Sequence, residues 1–293
     1  MDALYTWIAE RAREGSLPSF FEYPFLVRGL IAVLILAPLL GGLSHIVVAR
    51  RLAFFSAAIG NAALTGLSIG LLLGEPLQAP YGGMFGFCLL SALGMVWVKR
   101  RASLPSDTLV GVFLALTLGL GICVLVAVSR SFNIHQIESV MFGSLLTVTD
   151  RDLVLLAGVG AIVALVLASH YNRLLLDSAS PDLARANGGD TAWIDYLFVV
   201  LLTIAIVVSL KIVGALLVEA MVVVPAAASR NLARSVRGYF FGSIACATVA
   251  GVAGIAISTA WAVPTGGAVI LGLSALFFLT LIAGGVRARV SAR

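Results

Sequence analysis

The chain has 293 residues, 60% of them hydrophobic and 11% charged, with a net charge of +5 and a mean hydropathy of +1.08. Soluble globular chains carry roughly 25% charged residues, so this composition excludes a water-soluble domain. The apolar residues form runs of span length with basic clusters between them, which argues against a nucleic-acid surface and predicts an all-α integral membrane protein, a polytopic bundle of about 8–9 transmembrane helices.

In chain order, residues 1–23 read as an external or interfacial segment. Leu4, Trp7, Ile8 and Ala12 share one helical face, as in a helix lying on a membrane surface. Asp2 and Glu10 do not suit the basic start of a signal peptide. A transmembrane domain then covers residues 24–286, with apolar segments at about 24–49, 53–74, 80–98, 107–129, 153–170, 193–210, 212–229, 239–262 and 264–286. The close joins near 211 and 263 leave room for a broken or re-entrant helix, so eight crossings stay open beside nine. A basic tail, 287–293, closes the chain.

Charge orients this path. Arg50–Arg51, Lys99–Arg101, Arg173 with Arg185, Arg230–Arg237 and Arg287–Arg293 fall on one side and hold thirteen of the 19 Lys and Arg residues. Basic residues concentrate on the cytoplasmic side of a membrane protein, so the C-terminus is expected inside and, with nine crossings, the N-terminus outside. Gly66 with Gly70, Gly70 with Gly74, and Gly82 with Gly86 stand at spacings that let helix backbones approach closely in lipid.

Two connections exceed a turn. Residues 130–152, expected outside, include the amphipathic stretch Ile137–Leu146. Residues 171–192, expected in the cytoplasm, hold a short helix signal: Ser180 as cap, Pro181 at the first position and Gly188 as terminator. Asp182 and Arg185 would be exposed on it, which suits either a docking point for a soluble partner or a connector resting on lipid headgroups.

Little in the chain suggests catalysis. Cys88, Cys123 and Cys246 lie far apart inside apolar runs, without a disulfide or haem pattern. The only lysines, Lys99 and Lys211, follow no glycine-rich loop, so there is no Walker A motif, and there is no HExxH. Gly66-Leu-Ser-Ile-Gly70 has the letters of a hydrolase elbow but lies inside a span.

Polar groups inside spans are the informative residues, because lipid penalises them. Asn61, Thr65 and Ser68 form one stripe on the second segment, suited to lining a solute route or to hydrogen bonding between helices. Glu219 stands between apolar runs, eight residues past Lys211, where an acid should face a cavity or a partner. Pro225 frees the carbonyl of Met221 and is expected to kink that helix, so acid and carbonyl together would offer oxygens to a cation. A protonated Glu219 bonded to a neighbouring helix is the plainer reading. His45 and His170 lie near span ends; His135, at i and i+3 with Glu138, is a weaker candidate cation contact.

Four stretches carry a resemblance: VVARRLAFFSAAIGNAALTGLSIG at Val47–Gly70, FGSLLTVTDRDL at Phe142–Leu153, the Pro181–Gly188 stretch, and KIVGALLVEAMVVVPAAASR at Lys211–Arg230. In order and combined, over roughly residues 25–285, they resemble the zinc/manganese permease family of ABC importers. The resemblance implies a homodimer with two cytoplasmic ABC ATPase subunits and an external solute-binding protein. It also implies alternating access driven by ATP-Mg in the ATPase, no cofactor bound by this chain, and Zn, Mn or Fe as the transported ion. Pro181, Asp182, Ala184, Arg185 and Gly188 would then form the coupling helix. One departure stands out: the family typically carries an Asp and a His four residues apart on the second helix, and the matching positions here are Ala57 and Asn61. Glu219 is the acid available to replace that lost ligand. The departure leaves open a metal chelate or small organic solute as cargo, and a secondary transporter stands as a further alternative.

Overall fold

The structure, a computed structural model, describes residues 23–75, 81–102, 104–129, 148–179, 191–261 and 263–291, and every regular element among them is an α-helix. In chain order these are α1 (Pro24–Ala49), α2 (Phe55–Leu72), α3 (Tyr81–Arg101), α4 (Ser106–Ser129), α5 (Asp150–Ala179), α6 (Thr191–Val213), α7 (Ala215–Arg230), α8 (Val236–Trp261) and α9 (Thr265–Ser291). All except α7 are long and apolar enough to cross a membrane. Large apolar side chains such as Leu165, Leu271, Phe278 and Ile282 are more than half exposed, a surface that lipid tails, not water, would cover.

The segments expected at 193–210 and 212–229 are α6 and α7, and Gly214 separates them with φ 86° and ψ 162°. Only glycine occupies that region readily. The break leaves α7 with 16 residues, about 24 Å at the helical rise. That is below the roughly 30 Å hydrocarbon thickness. The expected run at 153–170 is exceeded in the other direction: α5 has 30 residues and continues through polar sequence to Ala179.

Caps explain several boundaries. At the start of α5, the Thr149 hydroxyl accepts from the Asp152 amide at 3.3 Å while the Asp152 carboxylate accepts from the Thr149 amide at 3.1 Å, a reciprocal capping box. At the end of α2, Gly74 has φ 90°, and the amides of Gly74 and Glu75 return to the carbonyls of Leu71 and Gly70. The end of α1 is built the same way, with Arg51 in glycine's place at φ 56°, and with the amides of Arg51 and Leu52 returning to Val48 and Val47. Both are Schellman caps.

The helices group into two compact units. In the first, formed by the described residues up to His45, 148–161 and from Ile212 onward, α7, α8 and α9 pack on one another. There Gly41 of α1 lies against Ala247 and Ser243 of α8, and Gly254 of α8 lies against the Val269 backbone of α9. Arg28 of α1 pairs with Asp150 at 2.8 Å.

In the second unit, formed by the described residues of 46–142 and 162–211, α2 packs on both α3 and α4. The crossing of α2 and α3 is a glycine seam. A methyl added at Gly83 would come within 2.7 Å of the Gly70 backbone, and one at Gly66 within 3.0 Å of the Met84 Cα. Gly66 and Gly70 thus pack as their spacing suggests. Their partner is Gly83, and a methyl at Gly86 would meet nothing within 4 Å. The Glu75 carboxylate completes the crossing by accepting from the Gly83 amide at 3.0 and 3.3 Å, which places an anion at the start of α3.

Candidate functional site

On α2, Thr65 and Ser68 are fully buried and Asn61 is partly exposed. The Thr65 hydroxyl lies 3.0 Å from the Thr117 carbonyl of α4 and 3.1 Å from the Asn61 carbonyl. Thr117 reciprocates toward the Ala58 carbonyl at 3.3 Å. Ser68 bonds back to the Leu64 carbonyl at 2.9 Å. The Thr65 hydroxyl therefore joins α2 to α4, and the Ser68 hydroxyl is engaged within its own helix. Ala57, Asn61 and Leu64 mark the side of α2 that stays partly exposed.

On α7, one face is covered through Val218, Met221, Val222 and Pro225. The other face, running through Leu216, Glu219, Val223, Ala227 and Arg230, is partly or fully exposed. Glu219 thus projects from an open stripe that is apolar from Leu216 to Ala227 apart from this acid. Pro225 lies inside the helix, which continues as far as Arg230. Three residues before Gly214, Lys211 in the last turn of α6 hydrogen-bonds the Tyr81 hydroxyl and lies 4.3 Å from the centre of that ring.

His45 is buried, with its Nδ1 2.6 Å from the Gly42 carbonyl and its ring edge-on to Phe240 and Tyr239 at 5.0 and 5.9 Å. His170 contacts Ser169 and the Val166 carbonyl. His45 is thus packed among aromatic rings, whereas His170 is partly exposed and bonds only within its own helix. Among the described residues, no three His, Cys, Asp or Glu side chains gather closely enough to hold a metal ion. His135, Pro181, Asp182, Ala184, Arg185 and Gly188 lie outside the described residues.

Sequence reasoning missed a second polar constellation, in the unit that contains α2. Arg50, in the turn after α1, donates from three nitrogens: to Asp177 of α5 at 2.8 Å, to Asp195 of α6 at 2.7 Å and to Ser178 of α5 at 3.0 Å. Lys99 of α3 approaches Asp195 at 3.5 Å, and the Phe198 ring lies 4.9 Å from the guanidinium. The side chains of Arg50, Asp177 and Asp195 are only 5%, 8% and 15% exposed. Burial lowers the Arg50 pKa from its ordinary value, and the carboxylates of Asp195 and Asp177 oppose that shift. A cleft beside the cluster is lined by Leu52, Phe55, Met95, Lys99 and Val199, among others. The one signal in the sequence was the scarcity of acids, 14 in 293 residues, which makes each of them a candidate for a specific partner.

Known proteins are similar to this chain in sequence and in architecture. A manganese import system permease protein, ScaB of Streptococcus gordonii, is 31% identical over 88% of this chain and 90% of its own length. The high-affinity zinc uptake system membrane protein ZnuB of Haemophilus influenzae is 29% identical over 88% of this chain and 96% of its own. Among solved structures, PsaBC from Streptococcus pneumoniae in complex with Fab superposes with a TM-score of 0.76 at 26% identity, covering 96% of this chain and 95% of that one. The model of the ABC 3 transport family matches residues 22–284. With that match running nearly end to end, the chain belongs to the ABC 3 transport family.

Proposed function

We propose that this chain is the membrane-spanning permease subunit of an ABC importer that carries a divalent transition metal ion, Mn²⁺, Zn²⁺ or Fe²⁺, across a bacterial cytoplasmic membrane. The observation that carries the reading is the family match over residues 22–284, with relatives named for manganese import and zinc uptake at about 30% identity. In this proposal two copies of the chain work with two cytoplasmic ATPase subunits and an external solute-binding protein. ATP hydrolysis belongs to the ATPase, and this chain supplies the alternating path. Segment 171–192 is cytoplasmic, with Pro181–Gly188 as the coupling helix. The open face of α7 that bears Glu219 and the open side of α2 that bears Asn61 would face that path or the second copy. Thr65 holds α2 against α4.

Glu219 has the chemistry to meet a cation: an acid on an apolar stripe attracts a divalent ion and is costly to leave facing lipid. The Glu219→Gln variant is expected to lower metal uptake by the reconstituted complex about tenfold, on the scale of losing one group from a metal's surroundings. Uptake equal to the unaltered complex would remove Glu219 from the path.

A second reading, import of a metal chelate or small organic solute, draws support from Ala57 and Asn61 standing where the family typically has an Asp and a His. Titration calorimetry of Mn²⁺ and Zn²⁺ onto the cognate external binding protein separates the two. Tight binding of either ion is expected. Binding of neither, with Fe²⁺ also silent, would overturn the free-metal reading in favour of the second.

A further inference from the structure

Arg50 bonds to both ends of one connection. Asp177 and Ser178 stand in the last turn of α5, which ends at Ala179, and Asp195 stands in the first turns of α6, which begins at Thr191. Arg50 itself stands five residues before Phe55, the first residue of α2. One planar guanidinium thus closes three contacts across separations of 127, 128 and 145 residues in sequence. Lysine has no fork that could reproduce them.

We infer that Arg50 is a positioning residue that ties the end of α5 and the start of α6 to the turn that leads into α2, so that force applied to the connection between α5 and α6 moves α2. This rests on the proposal that the connection receives the ATPase stroke. The tie suits that task because its members are shielded from water, so each carboxylate is held by its partner and not by solvent. A rigid local cap at one helix end would need only one of these contacts; joining both ends of the same connection to a third helix is what transmission requires. The adjoining cleft at Leu52 and Phe55 leaves space beside the moving end of α2.

Two readouts on the complete complex of permease, ATPase and binding protein test this. In proteoliposomes, Arg50→Lys is expected to keep ATP hydrolysis near the unaltered rate while Mn²⁺ or Zn²⁺ imported per ATP falls about fivefold, within the range seen for residues that carry coupling. Parallel loss of both, or no change in the ratio, would overturn the inference. The second readout needs no cargo. Spin labels at Phe54→Cys and Leu176→Cys, both exposed positions, in a chain with Cys88, Cys123 and Cys246 replaced by Ser and diluted with unlabelled copies so that one copy per complex carries both labels, should report one narrow distance with and without ATP. In the Arg50→Met, Asp177→Asn, Asp195→Asn variant, which leaves none of the three carrying a buried charge, that distance should broaden. An unchanged narrow distance would overturn the inference. If the unaltered complex imports neither ion, the cargo proposal fails while this distance still decides the role of Arg50.

Discussion

Arg51 shows how a single residue records a constraint. Its φ of 56° lies in the left-handed region, where a side chain costs roughly 1–2 kcal/mol relative to right-handed backbone. The same position at the end of α2 is filled by Gly74. Arg51 is exposed, so its side chain contributes little packing. Arg51→Gly should therefore stabilise the chain, less the extra chain entropy that glycine loses on folding, for a net of about 0.5–1 kcal/mol. Thermal unfolding in detergent is expected to shift upward by about 1–3 °C; a downward shift would mean that Arg51 makes a contact worth more than its strain. Legibility at this scale was uneven. Glu219 could be picked out because an acid within an apolar run is rare, whatever surrounds it. Arg50 could not, because its partners lie more than a hundred residues away and no local spacing announces them.

Helices and their crossings were legible to different degrees. Runs of about 20 apolar residues mark where a helix must be, and all nine segments found in the sequence have a helix in the structure. Where each helix stops depends on caps and polar extensions that hydropathy does not register, as at Asp150–Ala179. The stripe of Asn61, Thr65 and Ser68 was legible as a face. That Thr65 points its hydroxyl at Thr117 was not, because α4 carries no matching period. Glycine pairs were likewise visible as spacings, but contact selects among them: Gly83 is locked against Gly66 and Gly70, and Gly86 faces open space. Two substitutions in one helix make the distinction measurable. Gly83→Ala should force α2 and α3 apart and cost about 1–3 kcal/mol. Gly86→Ala should be neutral or stabilising by up to about 1 kcal/mol through helix propensity. Comparison of their thermal midpoints checks both, and equal midpoints would mean that the seam is not tightly packed.

At the scale of the whole molecule, charge does two separate jobs. Arg100, Arg101, Arg234 and Arg237 are exposed and lie in the basic clusters from which the cytoplasmic side was read. The clusters themselves were visible in the sequence, and the expectation drawn from them concerns where charges fall and not what they touch. Arg50 was counted with them, yet its side chain is 5% exposed and faces two carboxylates. The difference should appear as a difference in response to ionic strength. At about 1 M salt the Debye length contracts to about 3 Å. Attraction of the exposed arginines to anionic headgroups is then largely screened, whereas the shielded pairs of Arg50 are screened much less. A coupling ratio carried by Arg50 should therefore hold nearly constant as salt rises in proteoliposomes, even while binding of the complex to anionic lipid weakens. A ratio that decays with salt alongside lipid binding would point to the surface charges as its source.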